Sequence, residues 1–364
     1  MARQPQLYLD NNATAPLRPE AADAMRDAMG PPANPSSVHG YGRAARMLVE
    51  TARADIAMLA GCRPADLVFT SGGTEANNLA LSMFDKVITS AVEHDSVLRA
   101  VPDADVIGVD SEGRVDLQAL RDMLAALDDD ARPRTLVSVM MANNETGVIQ
   151  PVDQIVRIAQ EAGVAVHSDM VQMLGKQHLD FSGSGLDFAS LSAHKIGGPA
   201  GVGALMVRPG RAMTSLLRGG GQEQGRRSGT ENVIGIAGFG GAAKAAFDDI
   251  AHYRRMAAWR DAMEEGLLGK RGDVTLFGAG AARIGNTCCL AIGERSSETM
   301  VMALDLAGVA VSAGAACSSG KVQESHVLKA MDAGANASRA IRISGGWNSR
   351  ESDFERLAEV LVAL

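Results

Sequence analysis

Lys195 lies in a stretch of sequence that could make its side-chain amine a nucleophile. It follows the apolar run at residues 186–191 and precedes Gly197 and Gly198, so we expect it where a short buried strand ends and a tight loop begins. An amine attacks a carbonyl carbon only in its neutral form, which a desolvating pocket favours. Lys195 is therefore a candidate Schiff-base lysine, although the same pattern also fits a strand-end lysine without a chemical role.

A glycine-rich turn far upstream could bind a phosphate group. The sequence SGGT at residues 71–74 separates an apolar strand, residues 67–70, from a helix of small residues. The free backbone N–H groups and the positive end of the helix dipole would attract an anion there. An ordinary helix N-cap with a tight turn explains the same residues.

Three further polar residues follow other predicted strands. Asp169 ends the apolar run that starts at Val164, Gln172 comes three residues later, and His94 closes the strand that starts at Lys86. Pyridoxal phosphate needs a lysine for its aldehyde, an acid for its pyridine nitrogen, a phosphate cradle and a flat group against its ring. Asp169 could serve the ring nitrogen, Gln172 the ring oxygen and His94 the ring face. Asp169 also has a purely structural interpretation as a strand-end cap or salt-bridge partner, and His94 has one as a satisfied structural histidine.

The elements that must position these residues alternate between apolar strands and amphipathic helices as far as residue 247. This alternation predicts a mostly parallel sheet covered by helices on both faces, with ligands beyond the carboxyl ends of the strands. A glycine-rich polar loop at residues 218–232 is longer than a connection requires. We predict a large domain at residues 14–250 and a smaller α+β domain formed by residues 1–13 and 251–364.

Composition restricts the class of protein. The 364 residues are 46% hydrophobic, which is enough for a large core and two domains. The net charge of -8 argues against nucleic acid or an anionic membrane as a partner. The absence of a leader-like pattern and of a long apolar run predicts a cytoplasmic protein. Cys62, Cys288, Cys289 and Cys317 are too few for a disulfide framework and lack zinc-ligand spacing, so any thiol chemistry is that of a single cysteine.

The chain resembles the class V, fold type I pyridoxal-phosphate enzymes and, among them, the NifS-like cysteine desulfurases. The resemblance covers nearly the whole sequence. It is carried by YLDNNAT at residues 8–14, NPSSVH at 34–39, TSGGTE at 70–75, NNETG at 143–147, HSD at 167–169 with Gln172, SAHK at 192–195, GGQE at 220–223, RRSGTEN at 226–232 and SAGAACSSG at 312–320. So many motifs in one order make a chance match a poor explanation.

The resemblance implies a role for each matching position. It places pyridoxal phosphate on Lys195, with Asp169 at the ring nitrogen, Gln172 at the phenolic oxygen and His94 against the ring. The phosphate would be held by Gly73, Thr74, Ser192 and His194, and by Thr230 from the neighbouring subunit of a homodimer. Asn144 and Arg342 would bind the carboxylate of the substrate L-cysteine, since a guanidinium fork suits a carboxylate. The competing interpretation of Arg342 is a surface arginine on an edge strand.

Cys317 distinguishes a desulfurase from an aminotransferase. It lies among Gly, Ala and Ser residues with little bulk, so we expect a mobile loop and a nucleophilic thiol, whereas a structural cysteine would sit in an apolar strand, as Cys288 and Cys289 do. L-cysteine would displace Lys195, whose amine removes the Cα proton. The Cys317 thiolate would then attack the substrate sulfur, giving a persulfide and L-alanine. The rivals are a class V aminotransferase, a selenocysteine-specific lyase, and a cluster-assembly partner with a vestigial cofactor site.

The expected partners of this chemistry are L-cysteine and a sulfur acceptor such as an iron–sulfur scaffold protein. We predict no resident metal site, with Cys317 as the one position for a transient contact with an iron–sulfur cluster. The sequence does not choose between a nitrogenase-dedicated role and a housekeeping role.

Overall fold

The computed structural model describes residues 6–30, 32, 34–314 and 324–364. In these residues the strands are β1 (Leu7–Tyr8), β2 (Leu67–Thr70), β3 (Lys86–Ser90), β4 (Asp105–Ile107), β5 (Thr135–Ser138), β6 (Ala165–Asp169), β7 (Phe188–Ser192), β8 (Gly203–Val207), β9 (Val274–Phe277), β10 (Thr287–Ile292), β11 (Val309–Ala310), β12 (Ser312–Ala313) and β13 (Ile341–Ser344). The helices are α1 (Pro19–Ala28), α2 (Gly40–Ala60), α3 (Gly73–Leu81), α4 (Asp95–Leu98), α5 (Leu117–Ala125), α6 (Val152–Glu161), α7 (Phe181–Ser184), α8 (Val233–Asp248), α9 (Ile250–Lys270), α10 (Ser297–Leu306), α11 (His326–Ala330) and α12 (Glu351–Ala363).

The main sheet has seven strands in the order β2-β8-β7-β6-β5-β3-β4. β8 is antiparallel to both of its neighbours, and the other neighbouring pairs are parallel. The central strands are buried along their whole length, as expected where helices cover both faces. The predicted mostly parallel α/β sheet is confirmed. Because β8 alone is reversed, the carboxyl ends of the other strands meet at one edge of the sheet.

Helices α1, α2 and α8 cover one face of this sheet. α2 buries Val49, Ala52 and Ile56 there, while α8 is buried on nearly all sides because it consists largely of small apolar residues. A Cβ added at Gly240 of α8 would lie 2.6 Å from the Cα of Ala52. The glycine therefore allows the two helix backbones to approach closely.

The opposite face of the main sheet is covered by α3 and the residues around Val97. Val68, Phe188 and Leu205 of the strands pack against them. These side chains alternate along their strands with those that face α2 and α8, because successive strand residues point to opposite faces. Both faces are therefore covered, which leaves the carboxyl edge as the open side of the sheet.

A second sheet of four antiparallel strands has the order β12-β13-β10-β9. Helices α9, α10 and α12 pack on it, and β1 pairs with β11 beside it. Leu7 and Leu9 thereby join the same hydrophobic core as residues from 253 onwards. The division into domains at residues 14–250 and at residues 1–13 with 251–364 stays a prediction.

The sequence did not predict β9, β11 or β12. β9 is four residues long and largely unburied, and it is a strand because it pairs with β10, with Leu276 opposite Leu290. β11 and β12 have two residues each and depend on β1 and β13 for their pairing. Strands this short carry too little hydrophobic pattern to be recognised.

In the part of the chain that the structure describes, no helix combines the length and the apolar character needed to cross a membrane.

Candidate active site

A cavity of about 680 Å³ opens at the carboxyl edge of the main sheet. The predicted site residues that line it are Gly73, Thr74, His94, Asn144, Asp169, Gln172, Ser192, His194, Lys195 and Arg342. The fold therefore gathers side chains from both sheets into one space.

The two remaining predicted residues are Thr230 and Cys317. Thr230 lines a separate small cavity of about 140 Å³ together with Ser71, Arg227 and Glu223. Cys317 lies outside the described residues. Gly314 and Glu324, the described residues on either side of it, both line the main cavity.

The turn between β2 and α3 forms one wall of the cavity. The first N–H groups of a helix have no partner within the helix, and Gly73 and Thr74 stand at that position. Space is tight there, since a Cβ added at Gly73 would lie 2.9 Å from Cγ2 of Val171. The Glu75 carboxylate accepts a hydrogen bond from the Ser71 N–H at 2.7 Å, which holds the turn closed.

Lys195 comes directly after β7, at the end of a short 3-10 helix. Its Nζ donates hydrogen bonds to the carbonyl oxygens of Asn12 at 2.6 Å and Ala13 at 2.7 Å. The following loop is fixed by Arg18, whose Nε donates to the Ile196 carbonyl at 2.7 Å. The amine is therefore aimed at the N-terminal segment and is held on a rigid turn.

The surroundings of Lys195 favour its neutral form. Burial, followed by the positive charge of Arg342, lowers the pKa of Lys195 to about 8, against the opposing effect of Asp169 and Asp10. At pH 7 about a tenth of such amines are neutral, whereas an ordinary lysine is almost fully charged. The neutral form that a nucleophilic amine requires is therefore more accessible to Lys195 than to an ordinary lysine.

Asp169 is the last residue of β6 and is linked to His94 through two side chains. Its carboxylate accepts hydrogen bonds from Asn77 Nδ2 at 2.7 Å and from the Val171 N–H at 2.9 Å. Asn77 Nδ2 also donates to Ser96 Oγ at 2.8 Å, and the Ser96 N–H donates to His94 Nδ1 at 3.0 Å. Nδ1 is therefore an acceptor, which requires a neutral ring with its proton on Nε2. Burial lowers the pKa of His94, in agreement with that neutral form.

His94 and Asn144 lie farther from their strands than predicted. β3 ends at Ser90, and His94 is the N-cap of the short helix α4. β5 ends at Ser138, and a turn carries Asn144 to the cavity. The apolar run continues past each strand because these turns are buried as well.

Ser192 closes β7 and lies on the Gly73 side of the cavity, and His194 also lines the cavity. A Cβ at Gly73 would stand 3.5 Å from the Ser192 Cβ. Burial, and then Lys195, lowers the pKa of His194 to about 4, so its ring is neutral at pH 7. The Ser192 side chain and the first N–H groups of α3 thus lie at the same end of the cavity.

Arg342 reaches the cavity from β13 of the second sheet. It is 4% exposed, and its Nη2 forms an ion pair with Asp10 at 2.6 Å. Its Nη1 donates to the Asn144 carbonyl at 3.4 Å, while its buried Nε has no hydrogen-bond partner. The interpretation of Arg342 as a surface residue on an edge strand is wrong, because β13 lies between β12 and β10.

Sequence reasoning missed the part played by Asn12, which joins the two sheets. Its carbonyl accepts from Lys195 and from Gln172 Nε2 at 3.1 Å, and its Nδ2 donates to Thr287 Oγ1 of β10 at 2.8 Å. Its Oδ1 accepts from Lys176 at 3.0 Å. Asn12 could have been recognised from the sequence, because it belongs to a motif that carries the family resemblance. No sequence signal pointed to Lys176.

Two buried acids next to the cavity were also missed. Glu93 is fully buried, and burial raises its pKa to about 8 although Ser90 and the Met140 N–H donate to it. Glu145 lines the cavity and accepts from Ser325 Oγ at 2.6 Å, and burial raises its pKa as well. Both are short-range neighbours of predicted residues, but only the tertiary structure buries them.

The described cysteines are not candidates for the nucleophile. Cys288 and Cys289 are fully buried in β10, which confirms that they sit in an apolar strand. Burial raises the pKa of both thiols. Burial likewise raises the pKa of Cys62 to about 12, so these thiols resist forming thiolates.

Comparison with known proteins gives full-length matches. The family model for aminotransferase class-V matches residues 7–357. The chain is 41% identical over 375 residues to a cysteine desulfurase of Cereibacter sphaeroides, covering 98% of this chain and 95% of that protein. It is 39% identical over 376 residues to an IscS-like cysteine desulfurase of Mycobacterium tuberculosis, covering 97% and 95%. Among solved structures, a NifS-like protein from Rickettsia africae ESF-5 matches with a TM-score of 0.90 at 36% identity, covering 98% of both chains.

Proposed function

Because the chain belongs to the aminotransferase class-V family and is a pyridoxal-phosphate-dependent cysteine desulfurase, we propose that Lys195 carries the cofactor and that Cys317 receives the sulfur. The enzyme converts L-cysteine to L-alanine and passes the sulfur to an acceptor, for iron–sulfur clusters or other sulfur-containing cofactors. The observation that carries the site assignment is that Lys195, Asp169 and Arg342 line one cavity, in which burial lowers the pKa of Lys195 to about 8.

The cavity fits the ring of pyridoxal phosphate. When bound, the cofactor supplies a ring that accepts the electron pair of the substrate Cα–H bond. Asp169, held by two N–H donors, offers a carboxylate for the ring nitrogen, and Gln172 offers an amide for the ring oxygen. The neutral His94 offers a flat ring face. The buried Oδ1 of Asn77 has no hydrogen-bond partner, which leaves an acceptor free at this end of the cavity.

The glycine turn before α3 fits the phosphate group. Its helix N–H groups, Ser192 and the neutral His194 supply donors, and the helix dipole favours negative charge. The absence of a side chain at Gly73 keeps this space open, because a Cβ there would collide with Val171. Thr74 lines the same wall with its hydroxyl group.

Lys195 serves as the base of the reaction. Its neutral amine takes the proton from Cα of L-cysteine and can return a proton later, because its pKa near 8 makes both forms accessible. The carbonyl oxygens of Asn12 and Ala13 accept hydrogen bonds from Lys195 Nζ and keep it in one position. His94, with a proton on Nε2, is placed to relay a proton nearby.

Arg342 and Asn144 bind the substrate carboxylate. The guanidinium is almost fully buried, so its interaction with a carboxylate is only weakly screened by water. Its Nε–H is without a partner and Nη2 already binds one carboxylate, that of Asp10. Arg342 lines the cavity, so a substrate carboxylate there can pair with the positive charge of its guanidinium.

Cys317 attacks the substrate sulfur as a thiolate. The S–S bond of a persulfide forms as the C–S bond of the substrate breaks, and the electron pair of that bond returns to the carbon skeleton, which leaves as L-alanine after protonation. Gly314 and Glu324, the described residues that flank the segment containing Cys317, both line the cavity, which supports this role. The persulfide sulfur then passes to an acceptor, for which we propose an iron–sulfur scaffold protein.

We propose further that the protein is a homodimer in which Thr230 of a second copy completes the phosphate site. Thr230 does not line the main cavity of its own chain, which supports a role across an interface. Large apolar side chains are exposed in α2 and just before it, namely Val38 at 86%, Tyr41 at 60% and Met47 at 65%. A second copy would cover them. A cytoplasmic location stays a prediction.

The test is to incubate the purified protein with pyridoxal phosphate and L-cysteine and to measure L-alanine, sulfide and the mass of the Cys317 peptide. We expect one L-alanine for each sulfur released and a mass gain of one sulfur atom on that peptide. Formation of an α-keto acid in place of L-alanine would instead identify an aminotransferase.

Cys62→Ser is the matched control for the Cys317→Ser variant. Cys62 is a half-buried cysteine whose thiol resists ionisation, so its loss should leave sulfur transfer intact. The Cys317→Ser variant should keep the visible band of the bound cofactor and lose persulfide formation. Wild-type sulfide release from that variant would contradict the assignment of Cys317.

A further inference from the structure

A second lysine, Lys176, is buried behind the cavity and has no role in the proposed chemistry. It is 3% exposed and follows Gly175, whose φ of +69° turns the chain after β6. A Cβ at Gly175 would lie 3.0 Å from the Ala246 Cβ, so this turn is packed against α8. A lysine is rarely placed in such a position, because burying an ammonium group is costly.

The hydrogen bonds of Lys176 go to two uncharged amides. Nζ donates to Gln172 Oε1 at 2.9 Å and to Asn12 Oδ1 at 3.0 Å. A neutral amine has two N–H bonds, which these two oxygens match. Burial, followed by the positive charges of Lys195 and Arg342, lowers the pKa of Lys176 well below its usual value, in agreement with an uncharged group.

Lys176 contributes to the orientation of both amides, and Asn286 Nδ2 also donates to Asn12 Oδ1, at 3.1 Å. A side-chain amide can turn over and exchange its oxygen with its nitrogen, and only its partners fix the orientation. Lys176 directs its two N–H bonds at the side-chain oxygens of Asn12 and Gln172, so both oxygens point towards its amine. Their nitrogens then face the other way, Asn12 Nδ2 towards the Asn144 carbonyl at 3.1 Å and Gln172 Nε2 towards the Asn12 carbonyl at 3.1 Å.

We propose that Lys176 is a positioning residue, which holds the Gln172 amide so that its nitrogen is presented as a hydrogen-bond donor at the cavity wall. This role rests on the proposed function, in which Gln172 donates to the ring oxygen of the cofactor. Without Lys176, Gln172 Oε1 loses its donor in a buried place, and only the hydrogen bond from Gln172 Nε2 to the Asn12 carbonyl still opposes a turn of the oxygen towards the ring. Lys176 acts through Gln172 and does not touch the reacting atoms.

The experiment measures the visible absorption of the cofactor-loaded protein as a function of pH. A donor to the ring oxygen lowers the proton affinity of the nitrogen that joins Lys195 to the cofactor, so loss of the donor should raise the pH midpoint. Lys176→Met removes the N–H donors at similar length, and we expect a rise of about 0.7 of a pH unit, equivalent to one neutral hydrogen bond. Gln172→Leu should give the same rise. The double variant should rise no further, because both changes remove one interaction.

Lys244→Met is the control, since Lys244 is an exposed lysine on α8 and should leave the midpoint unchanged. An unchanged midpoint in Lys176→Met, or shifts that add in the double variant, would overturn the positioning role. If Lys176→Met does not fold, Lys176→Arg decides, since arginine also only donates. If Lys176→Arg has the wild-type midpoint, the role is supported. If Lys176→Arg has the raised midpoint of Gln172→Leu, the role is refuted. A wild-type protein that forms no visible band with pyridoxal phosphate would refute the proposed function itself.

Discussion

The lowered pKa of Lys195 should be visible in the rate at which the apoprotein takes up pyridoxal phosphate. The pKa falls from its usual 10.5 to about 8. At pH 7 this raises the neutral fraction of the amine from about 0.03% to about 10%, a factor of about 300. Because only the neutral amine attacks the aldehyde, the uptake rate should rise with pH and level off above about pH 8.

Arg342→Met should move the pH dependence of the uptake rate to higher pH. After burial, the guanidinium is the strongest cause of the lowered pKa, and its removal also releases Asp10 from its ion pair, which raises the pKa of Lys195 further. Both effects favour the ammonium form, so we expect a rise of about one unit and a tenfold slower uptake at pH 7. Arg339→Met, at a position that does not line the cavity, should leave the profile unchanged.

The assay is stopped-flow absorbance after apoprotein is mixed with pyridoxal phosphate, from about pH 6 to about pH 10. A wild-type rate that still rises nearly tenfold per pH unit at about pH 9 would mean that Lys195 titrates like an exposed lysine. A profile that moves to lower pH in Arg342→Met would show that the charges around Lys195 have been assigned with the wrong sign.

Three further outcomes follow from single side chains. Arg53→Leu should lower the free energy of unfolding by about 3–5 kcal/mol in urea titrations, because Glu223, paired with Arg53 at 2.7 Å, would stay buried without a counter-charge; a loss below about 1 kcal/mol would mean that water reaches Glu223. Gly73→Ala should weaken the binding of pyridoxal phosphate at least about tenfold, as measured by equilibrium dialysis, because the new Cβ would lie 2.9 Å from Val171. An unchanged affinity would mean that the phosphate binds elsewhere. Cys317→Ser should abolish label transfer from ³⁵S-cysteine to the protein, and persistent labelling would exclude that thiol as the acceptor.

The longer elements were predictable because each carries its own hydrophobic pattern. α10 spans the predicted residues, and β2 and β13 begin and end where expected. The apolar strands also predicted a sheet covered on both faces, since alternation is lost when both sides of a strand are buried. The reversed direction of β8 was not predictable, because the pattern of an apolar strand is the same in either direction.

The predicted site residues were recognisable by residue type and by their place after apolar strands or within motifs. Their common cavity could not be read from the chain, because Arg342 enters it from a different sheet. Lys176 gave no signal, since a lysine after a glycine is most often a surface residue. Glu93 follows a predicted strand like many exposed acids, and its complete burial results from packing by segments far along the chain.

The order of residues alone determined the candidates: a lysine at a strand end, a glycine turn before a helix, and an acid after another strand. These signals are local, and the backbone preferences and hydrophobic patterns that produce them act over a few residues. Only the tertiary structure decided the protonation behaviour of Lys195, the amide orientation at Gln172 and the ion pair of Arg342 with Asp10. Each of these depends on desolvation and on charges brought together from distant parts of the sequence, which exist only once the two sheets are packed against each other.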